Sequence, residues 1–508
     1  MVAQQPPLNL QQNRLWYLER ESGFSRLDNR THTAIRPWLA TDSKPILADS
    51  LGDERKNFFY SKTYREHLVN YQSDDWSIQL DPIVDLQYGG ASSGNLWTNT
   101  RAVQLQGNIG TKFAFYSSFF ETQGRYPLHV NQFVQQRTVL PAQGFSRTNE
   151  KGIHDNSQSV AYISYSPNKY FNFQLGHDRH FIGDGYRSLL LSDANFPHPY
   201  FRILTSIGPF QYMYLISQYS DLMAPRLSNA LGNRQKYSAI GYLDWQISKR
   251  FTLGFFQAVV WQADDSTGRR GLDFNYLNPF IFLRPVEFSL GSEGNMLLGL
   301  NAKLKLTDYH QLYGQFILDE FDFPKILAQN GYWANKYGFQ LGYKGFELFG
   351  IPNLSAQTEV NIVRPFTYSH WTSLTNYGQY NEPLAHPFGA NFKEWTSFVN
   401  YRHKRYYGQL QFMLAQIGLD QDRLSYGQDI FTSYFARAAE EGNTIGQGLT
   451  TNILFGGLKA GYILNTQTNL RLELTLQQRT ASNSLGNQQD NWITVGLVSG
   501  IRNLYYDF

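Results

Sequence analysis

The chain has 508 residues, and its net charge of +3 is too small to favour nucleic-acid binding. Cysteine is absent, which excludes disulfides and thiolate chemistry, and the sequence has no run of 18 apolar residues that could form a transmembrane helix. Aromatic residues make up 16% of the chain and charged residues only 17%, below the roughly 25% of an average soluble protein. This composition is typical of a membrane β-barrel with an apolar outside, a polar inside and aromatic girdles.

Residues 1–70 do not alternate between apolar and polar side chains. Short helices are expected at about 10–21 and 62–70. We interpret residues 1–70 as an N-terminal periplasmic segment and residues 71–508 as an outer-membrane β-barrel. The segment could serve as a plug, a cap or a docking arm for an envelope protein partner.

The rest of the chain alternates with period two, as strands do when one face is apolar and the other polar. In residues 468–479, leucines at the even positions 470 to 476 face one way, and Arg471, Glu473 and Thr475 face the other. The pattern predicts strands near 77–88, 98–109, 111–121, 157–167, 169–179, 200–207, 209–221, 237–247, 250–263, 295–306, 308–318, 336–345, 352–364, 394–402, 405–418, 449–464, 468–479 and 491–508.

The connections between these strands alternate between short turns and long loops, as at the periplasmic and extracellular ends of a membrane barrel. In lipid every backbone group must be paired, so the sheet is expected to close on itself. The sequence therefore predicts an all-β fold, a closed antiparallel transmembrane β-barrel of about 18 strands with a small, partly helical N-terminal part. Phe508, the last residue, is expected at the periplasmic end of the last strand.

The loop at 176–199 is the densest group of polar side chains. Its candidate glycan-binding residues are His177, Arg179, His180, Asp184, Tyr186, Arg187 and Asp193. Two interpretations remain open: a folded extracellular loop that binds a sugar, or a self-satisfied loop that folds into the barrel mouth and constricts it. His177 and His180 lack the third ligand of a zinc motif, so no metal site is predicted.

Two other loops carry candidate glycan-binding residues. Residues 278–294 hold Arg284 and Glu287, which are expected to form a local ion pair, and residues 364–394 hold Arg364, His386 and Asn391. Aromatic rings beside amides and carboxylates suit sugar recognition, because rings stack on apolar sugar faces while polar groups read hydroxyls. The alternative is that these aromatics belong to the interfacial girdles.

No catalytic motif is supported. The segment from Gly90 to Gly94 reads G-x-S-x-G, but it lies between two barrel strands instead of at the strand–turn–helix that a nucleophile elbow requires. We therefore expect neither an enzyme nor a cofactor.

Three loop segments resemble a known family. The run from Phe181 to Asp193, F-I-G-D-G-Y-R-S-L-L-L-S-D, resembles the W-W-G-P-G-W-x-x-S-L-I-L-S-N segment of the Wzi-like capsule assembly family. Residues 384–394 are similar to that family's H-P-L-G-A-N segment. The runs G-H-D-x-x-F-I-G-D-G-Y-R-S-L-L-L-S-D and N-P-x-I-F-x-R-P-V-E-F-S resemble the RemB-like gliding-motility branch. The paired Trp of the capsule branch is replaced here by Phe181 and Ile182.

The resemblance extends from about residue 60 to the end of the chain. It implies an eighteen-stranded outer-membrane barrel that acts as a surface lectin and attaches capsular polysaccharide. We therefore expect an outer-membrane protein with long loops at the cell surface, which binds or organises surface polysaccharide and contacts outer-membrane lipid. A porin-like channel and a structural partner in a secretion or motility complex are the alternatives.

Overall fold

The computed structural model describes residues 12–38, 57–226, 228, 232–265, 268–269, 271–279 and 294–508. Within this part of the chain, eighteen strands form one closed antiparallel barrel, which confirms the predicted fold class and strand number. The strands are β1 Trp76–Ala91, β2 Gly94–Ile109, β3 Phe113–Arg125, β4 His154–Tyr165, β5 Phe171–Asp178, β6 His198–Ile207, β7 Phe210–Asp221, β8 Arg234–Gln246, β9 Phe251–Gln262, β10 Asn295–Lys305, β11 His310–Glu320, β12 Lys336–Phe346, β13 Leu354–Val363, β14 Phe392–His403, β15 Tyr406–Leu419, β16 Leu449–Asn465, β17 Leu470–Asn483 and β18 Gly486–Ser499.

The barrel closes where β18 pairs with β1. This seam runs from the pair Trp492 and Ala91 to the pair Val498 and Asp85, so it covers only the second half of β1. The first half of β1 pairs instead with a short strand, Val69–Gln72. The short strand thus supplies backbone partners to a stretch of β1 that β18 does not reach.

The two faces of the wall have opposite chemistry. On β17, Leu472, Leu474 and Leu476 face outward and are exposed, whereas Arg471 and Glu473 face inward and are buried. This is the reverse of a soluble protein, in which exposed side chains are mostly polar. The apolar outer face matches a lipid bilayer, as the alternating pattern predicted.

The two ends of the barrel differ in the length of their connections. At the short-turn end, successive strands are joined by tight turns such as residues 110–112 and 404–405. At the long-loop end most connections are long, but β1 and β2 meet through residues 92–93, and β17 and β18 through residues 484–485. The sequence predicted longer connections at these two places. Strands β1, β2, β17 and β18 extend beyond the apolar belt, where apolar and polar residues alternate only weakly, so their ends were assigned to loops.

The helices are α1 Gln12–Glu21, α2 Phe58–Tyr64, α3 Leu128–Arg137 and α4 Phe323–Leu327, with 3₁₀ turns at Phe274–Leu277, Leu348–Gly350 and Tyr434–Ala436. In the described ranges, none of the helices is both long and apolar enough to cross a membrane.

Short strand pairs join Ile35–Arg36 to Phe181–Ile182, Val139–Leu140 to Gly144–Phe145, Asp264–Asp265 to Gly268–Arg269, and Gly378–Gln379 to Glu382–Pro383, and Arg147–Thr148 adds to β4.

The helix expected at about 10–21 is present as α1, although residues 10 and 11 lie outside the described residues. The helix expected at 62–70 is wrong in position, because α2 begins after Asn57 and ends at Tyr64. The Asn57 side chain caps this helix by accepting the Tyr60 N–H at 3.0 Å. The chain then turns into the strand that begins at Val69.

The described part of the N-terminal segment, residues 12–38, lies against inward-facing side chains of the barrel. Trp16 donates its indole N–H to Gln357 at 2.5 Å, and Lys344 donates to Glu19 at 2.8 Å. This stretch therefore occupies the lumen towards the short-turn end. The division of the chain at residue 70 stays a prediction.

The end of the chain also enters the lumen. Strand β18 ends at Ser499, so the predicted strand 491–508 is wrong beyond that residue. Residues 500–508, here called the tail, run back towards the long-loop end, where the ring centroids of Phe508 and Phe133 lie 5.0 Å apart. Buried polar partners in the lumen hold the tail, and sequence alternation carries no sign of them.

Candidate functional site

The loop between β5 and β6, residues 179–197 and here called the central loop, folds into the lumen. Ile182 donates its N–H to Leu191 O at 2.9 Å, and Phe181–Ile182 pairs with Ile35–Arg36 of the N-terminal segment. The Arg36 guanidinium lies 4.0 Å from the Phe181 ring centroid. The arrangement corresponds to the second interpretation above, a loop that constricts the barrel.

Arg187 is at the centre of a buried charge cluster that joins the central loop to the wall and the tail. Its Nη2 lies 3.1 Å from Glu394 Oε1 and 3.2 Å from Asp507 Oδ1. Glu394 also contacts His386, whose Nε2 lies 2.7 Å from Oε2. Glu359 accepts the backbone N–H of Arg187 at 2.9 Å. The Glu394 carboxylate therefore brings together two predicted residues, Arg187 and His386. In the sequence, Glu394 stands at the end of the loop 364–394.

The protonation of this cluster follows from its surroundings. Burial lowers the pKa of Arg187, but the carboxylates of Asp507 and Glu394 outweigh burial and the net shift is upward. Burial also lowers the pKa of His386 despite its contact with Glu394. Removing either partner of this ion pair would leave an unpaired buried charge, so loss of the Arg187 guanidinium or of its carboxylates should strongly destabilise the fold.

Asp184 connects the central loop to the N-terminal segment. Its carboxylate accepts a hydrogen bond from the Thr33 hydroxyl and lies 3.4 Å from Lys303 Nζ of β10. Burial would raise the pKa of Asp184, but the Lys303 and Lys344 ammonium groups outweigh it and hold the pKa at about 2. Asp184 therefore remains ionised and fixes both segments to the wall.

Two further predicted residues, Tyr186 and Asp193, hold the tail. Tyr186 donates its hydroxyl to Asp507 at 2.8 Å, and Asp193 accepts from the Tyr505 hydroxyl at 2.8 Å and from the Asn503 amide at 3.2 Å. All five side chains are buried. The central loop and the tail therefore stabilise each other.

The remaining predicted residues of the central loop, Arg179 and His180, are also inside the barrel, whereas His177 lies on the outward face of β5. Arg179 donates to Asp193 O at 3.0 Å and is fully buried, as is His180, whose ring meets Tyr200 edge-on at 4.4 Å. His177 is half-buried at the end of β5 and contacts Ser159 O at 3.0 Å. Their predicted role as glycan contacts stays a prediction.

Arg364 and Asn391 fix loops at the long-loop end. Arg364 donates to Asn335 O at 2.8 Å. Asn391 adopts a positive φ of 57° and donates to Gly418 O at 2.8 Å, which suits an Asn in the left-handed region. Arg284 and Glu287 lie outside the described residues, so their expected ion pair stays a prediction.

A second group of side chains was missed in the sequence and lies nearer to solvent. This group, here called the mouth cluster, combines residues from three loops at the long-loop end: Trp333, His370, Trp371, Tyr434, Phe435 and Arg437.

Within the mouth cluster, the ring centroids of Trp333 and Tyr434 lie 4.7 Å apart, and the Arg437 guanidinium lies 4.5 Å from the Trp333 ring centroid. Lys336 Nζ lies 4.6 Å from the Tyr434 centroid. Phe435 is 70% exposed. The cluster thus presents aromatic surface at the edge of the lumen beside the Arg437 guanidinium, whose partner in the structure is the exposed Glu440 carboxylate. Aromatic rings next to a guanidinium suit sugars that carry carboxylates. The aromatic residues were visible in the sequence, but nothing in it indicated that the three loops converge.

The part of the lumen that the structure describes retains a cavity of about 140 Å³ between the tail and the wall. Its lining combines charged side chains, including Asp85, Lys459 and Glu473, with the ring of Tyr505. At roughly 30 Å³ per water, a cavity of this size has room for about five waters.

A scan against family models finds no match for this sequence, and a search of curated proteins finds none. Among solved structures, the chain is similar to Wzi of Escherichia coli, described as an outer membrane protein involved in group 1 capsule assembly and a carbohydrate binding β-barrel. Identity is 13%, the TM-score is 0.54, and the alignment covers 97% of this chain and 99% of that chain.

Two barrels of Pseudomonas aeruginosa are similar at lower scores. OprD is 10% identical, with a TM-score of 0.43 and coverage of 83% of this chain and 94% of that chain. OpdK, solved with vanillate, is 10% identical, with a TM-score of 0.45 and coverage of 83% and 98%. The similarity to Wzi shows a shared barrel fold. The resemblance to the RemB-like branch stays a prediction.

Proposed function

We propose that this protein is a non-enzymatic outer-membrane barrel whose long loops face the cell surface and whose mouth cluster binds a surface polysaccharide. The apolar outer face supports the membrane location, and the contrast between short turns and long loops supports the orientation. The partners under this proposal are outer-membrane lipid and surface polysaccharide. Docking of an envelope protein through residues 1–70 stays a prediction.

The observation that carries the polysaccharide proposal is the arrangement of Trp333, Tyr434 and Arg437. Tyr434 is half-buried and packs on the buried Trp333, and the neighbouring Phe435 is exposed, so these rings offer apolar surface on which a pyranose can stack. The Arg437 guanidinium pairs with the exposed Glu440 carboxylate and can exchange that partner for a sugar carboxylate. The fold is also that of a barrel described as carbohydrate binding. Acidic polysaccharides are therefore the favoured ligand class.

The porin-like alternative is less favoured, because three segments cross the lumen. Residues 12–38, the central loop and the tail all contact inward-facing side chains, and their contacts include buried ion pairs. A freely conducting pore of this strand number would leave the lumen to water.

The polysaccharide proposal is tested by biolayer interferometry with the barrel in detergent, using alginate as the acidic polysaccharide and dextran as the neutral one. We expect saturable binding to alginate that weakens about tenfold in Tyr434→Ala and Arg437→Ala, equivalent to about 1.4 kcal/mol each. Phe349→Ala is the matched control, since Phe349 is 93% exposed at the short-turn end. Equal binding by all four proteins, or no binding to either polysaccharide, would contradict the proposal.

A further inference from the structure

The outer face of the wall has a depression of about 670 Å³ where β16, β17, β18 and β1 lie side by side. Its outward-facing residues, here called the wall groove, are Gly90, Gly456, Leu476, Gln478, Asn491 and Ile493. It lies across the short closing seam between β18 and β1. Three strand spacings of about 4.8 Å give it a length of roughly 14 Å.

Gly90 and Gly456 form the floor of the groove, although the packing of the barrel would allow a larger residue at both positions. A Cβ built on Gly90 or on Gly456 meets no atom within 4 Å, and neither residue has a positive φ. The contrast with Gly89 and Gly496 is clear, since a Cβ there would lie 1.8 Å from Ile493 O and 2.2 Å from Leu86 O. Packing of the wall therefore requires Gly89 and Gly496 but leaves Gly90 and Gly456 free to be larger.

The groove also lies on the boundary between the apolar belt and the polar rim at the long-loop end. On β17 the outward-facing side chains change from leucine at 472, 474 and 476 to Gln478 and Thr480. On β18 they change at the same height, from Ile493 to Asn491. Gln478 pairs with Gly456 on one side and with Asn491 on the other, so the two amides and Gly456 form one row across the groove. Gly90 lies one step nearer to the apolar belt, where it pairs with Ile493.

We propose that the wall groove binds one acyl chain of a bilayer lipid from the leaflet at the long-loop end. The glycine floor admits the chain against the wall, and the amides of Gln478 and Asn491 hydrogen-bond the ester or amide linkage where the chain meets the headgroup. The groove is continuous with the apolar belt that the membrane covers. Its polar row lies at the edge of that belt, at the depth where the ester or amide linkage joins the acyl chains to the headgroup. The inference rests on the membrane location proposed above, but not on polysaccharide binding.

Native mass spectrometry of the full chain in detergent, mixed with dipalmitoyl phosphatidylethanolamine, tests this inference. We expect the parent protein to retain one lipid, and Gly90→Leu and Gly456→Leu to reduce that retention at least tenfold. Gly408→Leu is the matched control: Gly408 also faces outward, between Tyr406 and Leu410, and its Cβ would also meet nothing within 4 Å. Heat-modifiable gel mobility checks that all variants are folded.

A second pair of variants, Gln478→Leu and Asn491→Leu, removes the amides without filling the floor and should also weaken lipid retention. Equal retention by the parent protein and every variant, or equal loss in Gly408→Leu, would overturn the proposal. A parent protein that is dimeric and retains no lipid, with monomeric Gly456→Leu, would instead assign the groove to a second copy of the chain. A protein that retains lipid but binds no alginate contradicts the polysaccharide proposal alone.

Discussion

Arg187 Nη2 lies 3.2 Å from Asp507 Oδ1, and this contact joins the central loop to the tail across 320 residues of sequence. Both side chains are buried inside the barrel. The pair couples two segments that were expected at opposite ends of the barrel, one at the cell surface and the other at the periplasmic edge.

Arg187→Ala should lower the free energy of unfolding by about 3–5 kcal/mol, because it leaves the carboxylates of Glu394 and Asp507 buried without their cation. Urea titration followed by tryptophan fluorescence measures the change. The matched control is Arg26→Ala, which breaks a pair with Asp28 whose side chains are 62% and 72% exposed. The control should cost less than about 1 kcal/mol. Equal midpoints for the two variants would contradict the assigned role of Arg187.

The full chain should show no steady conductance in planar bilayers, because residues 12–38, the central loop and the tail occupy the lumen. Arg187→Ala should add brief openings as the tail loses its hold. Phe349→Ala, at an exposed position of the short-turn end, should behave as the parent protein does. A steady ohmic conductance in the parent protein would favour the porin-like alternative.

Trp16→Ala should release the N-terminal segment from the lumen. Trp16 is buried, donates to Gln357 at 2.5 Å and meets Phe398 edge-on at 5.4 Å, so truncation removes both packing and a hydrogen bond. A buried Trp→Ala change costs about 3–5 kcal/mol. Limited trypsin digestion should cut at Arg20 or Arg26 several-fold faster in this variant. Unchanged cleavage rates would show that Trp16 does not anchor the segment.

Glu382 should make stability depend on pH. Burial raises its pKa to about 8 from an ordinary value of 4.5, even though the carboxylate accepts the Ala142 N–H at 2.6 Å. Since the folded state holds the proton more tightly, the contribution is fully present below pH 4.5 and is lost as pH rises through 8.

In Glu382→Gln the side chain is neutral at every pH, so the loss of stability between pH 4.5 and 8 should shrink. Unfolding midpoints measured across this range give the slope. Glu150→Gln, at an exposed turn, should keep the slope of the parent protein. An unchanged slope in Glu382→Gln would show that the buried carboxyl group does not bind the extra proton.

The residues of the central loop could be named from the sequence, but their arrangement could not, and the mouth cluster was missed. His177 to Asp193 were recognised as a dense polar loop, and both a surface role and a folded-in role were considered for it. The structure places the loop inside the barrel because Arg187 and Asp184 find buried partners on β14 and β10. Those partners are more than 100 residues away in sequence, so spacing within the loop could not indicate them.

The tail shows the same limit. Phe508 was expected at the end of a strand, but the last strand ends at Ser499, and Tyr505 and Asp507 bind the central loop. The Tyr and Asp residues that hold the tail have no periodic pattern of their own. Their partners become visible only when the barrel closes.

By itself, the sequence determined the barrel, the number of its strands and which side chains face outward, because each strand meets lipid on one side and a polar interior on the other. That contrast is repeated every two residues, so a short stretch of sequence is enough to recognise it. Only the tertiary structure decided that the lumen is occupied, that the predicted residues of the central loop are buried, and that the mouth cluster and the wall groove exist. Each of these depends on contacts between segments that are distant in sequence. Such contacts form only when the sheet closes, so no local sequence pattern indicates them.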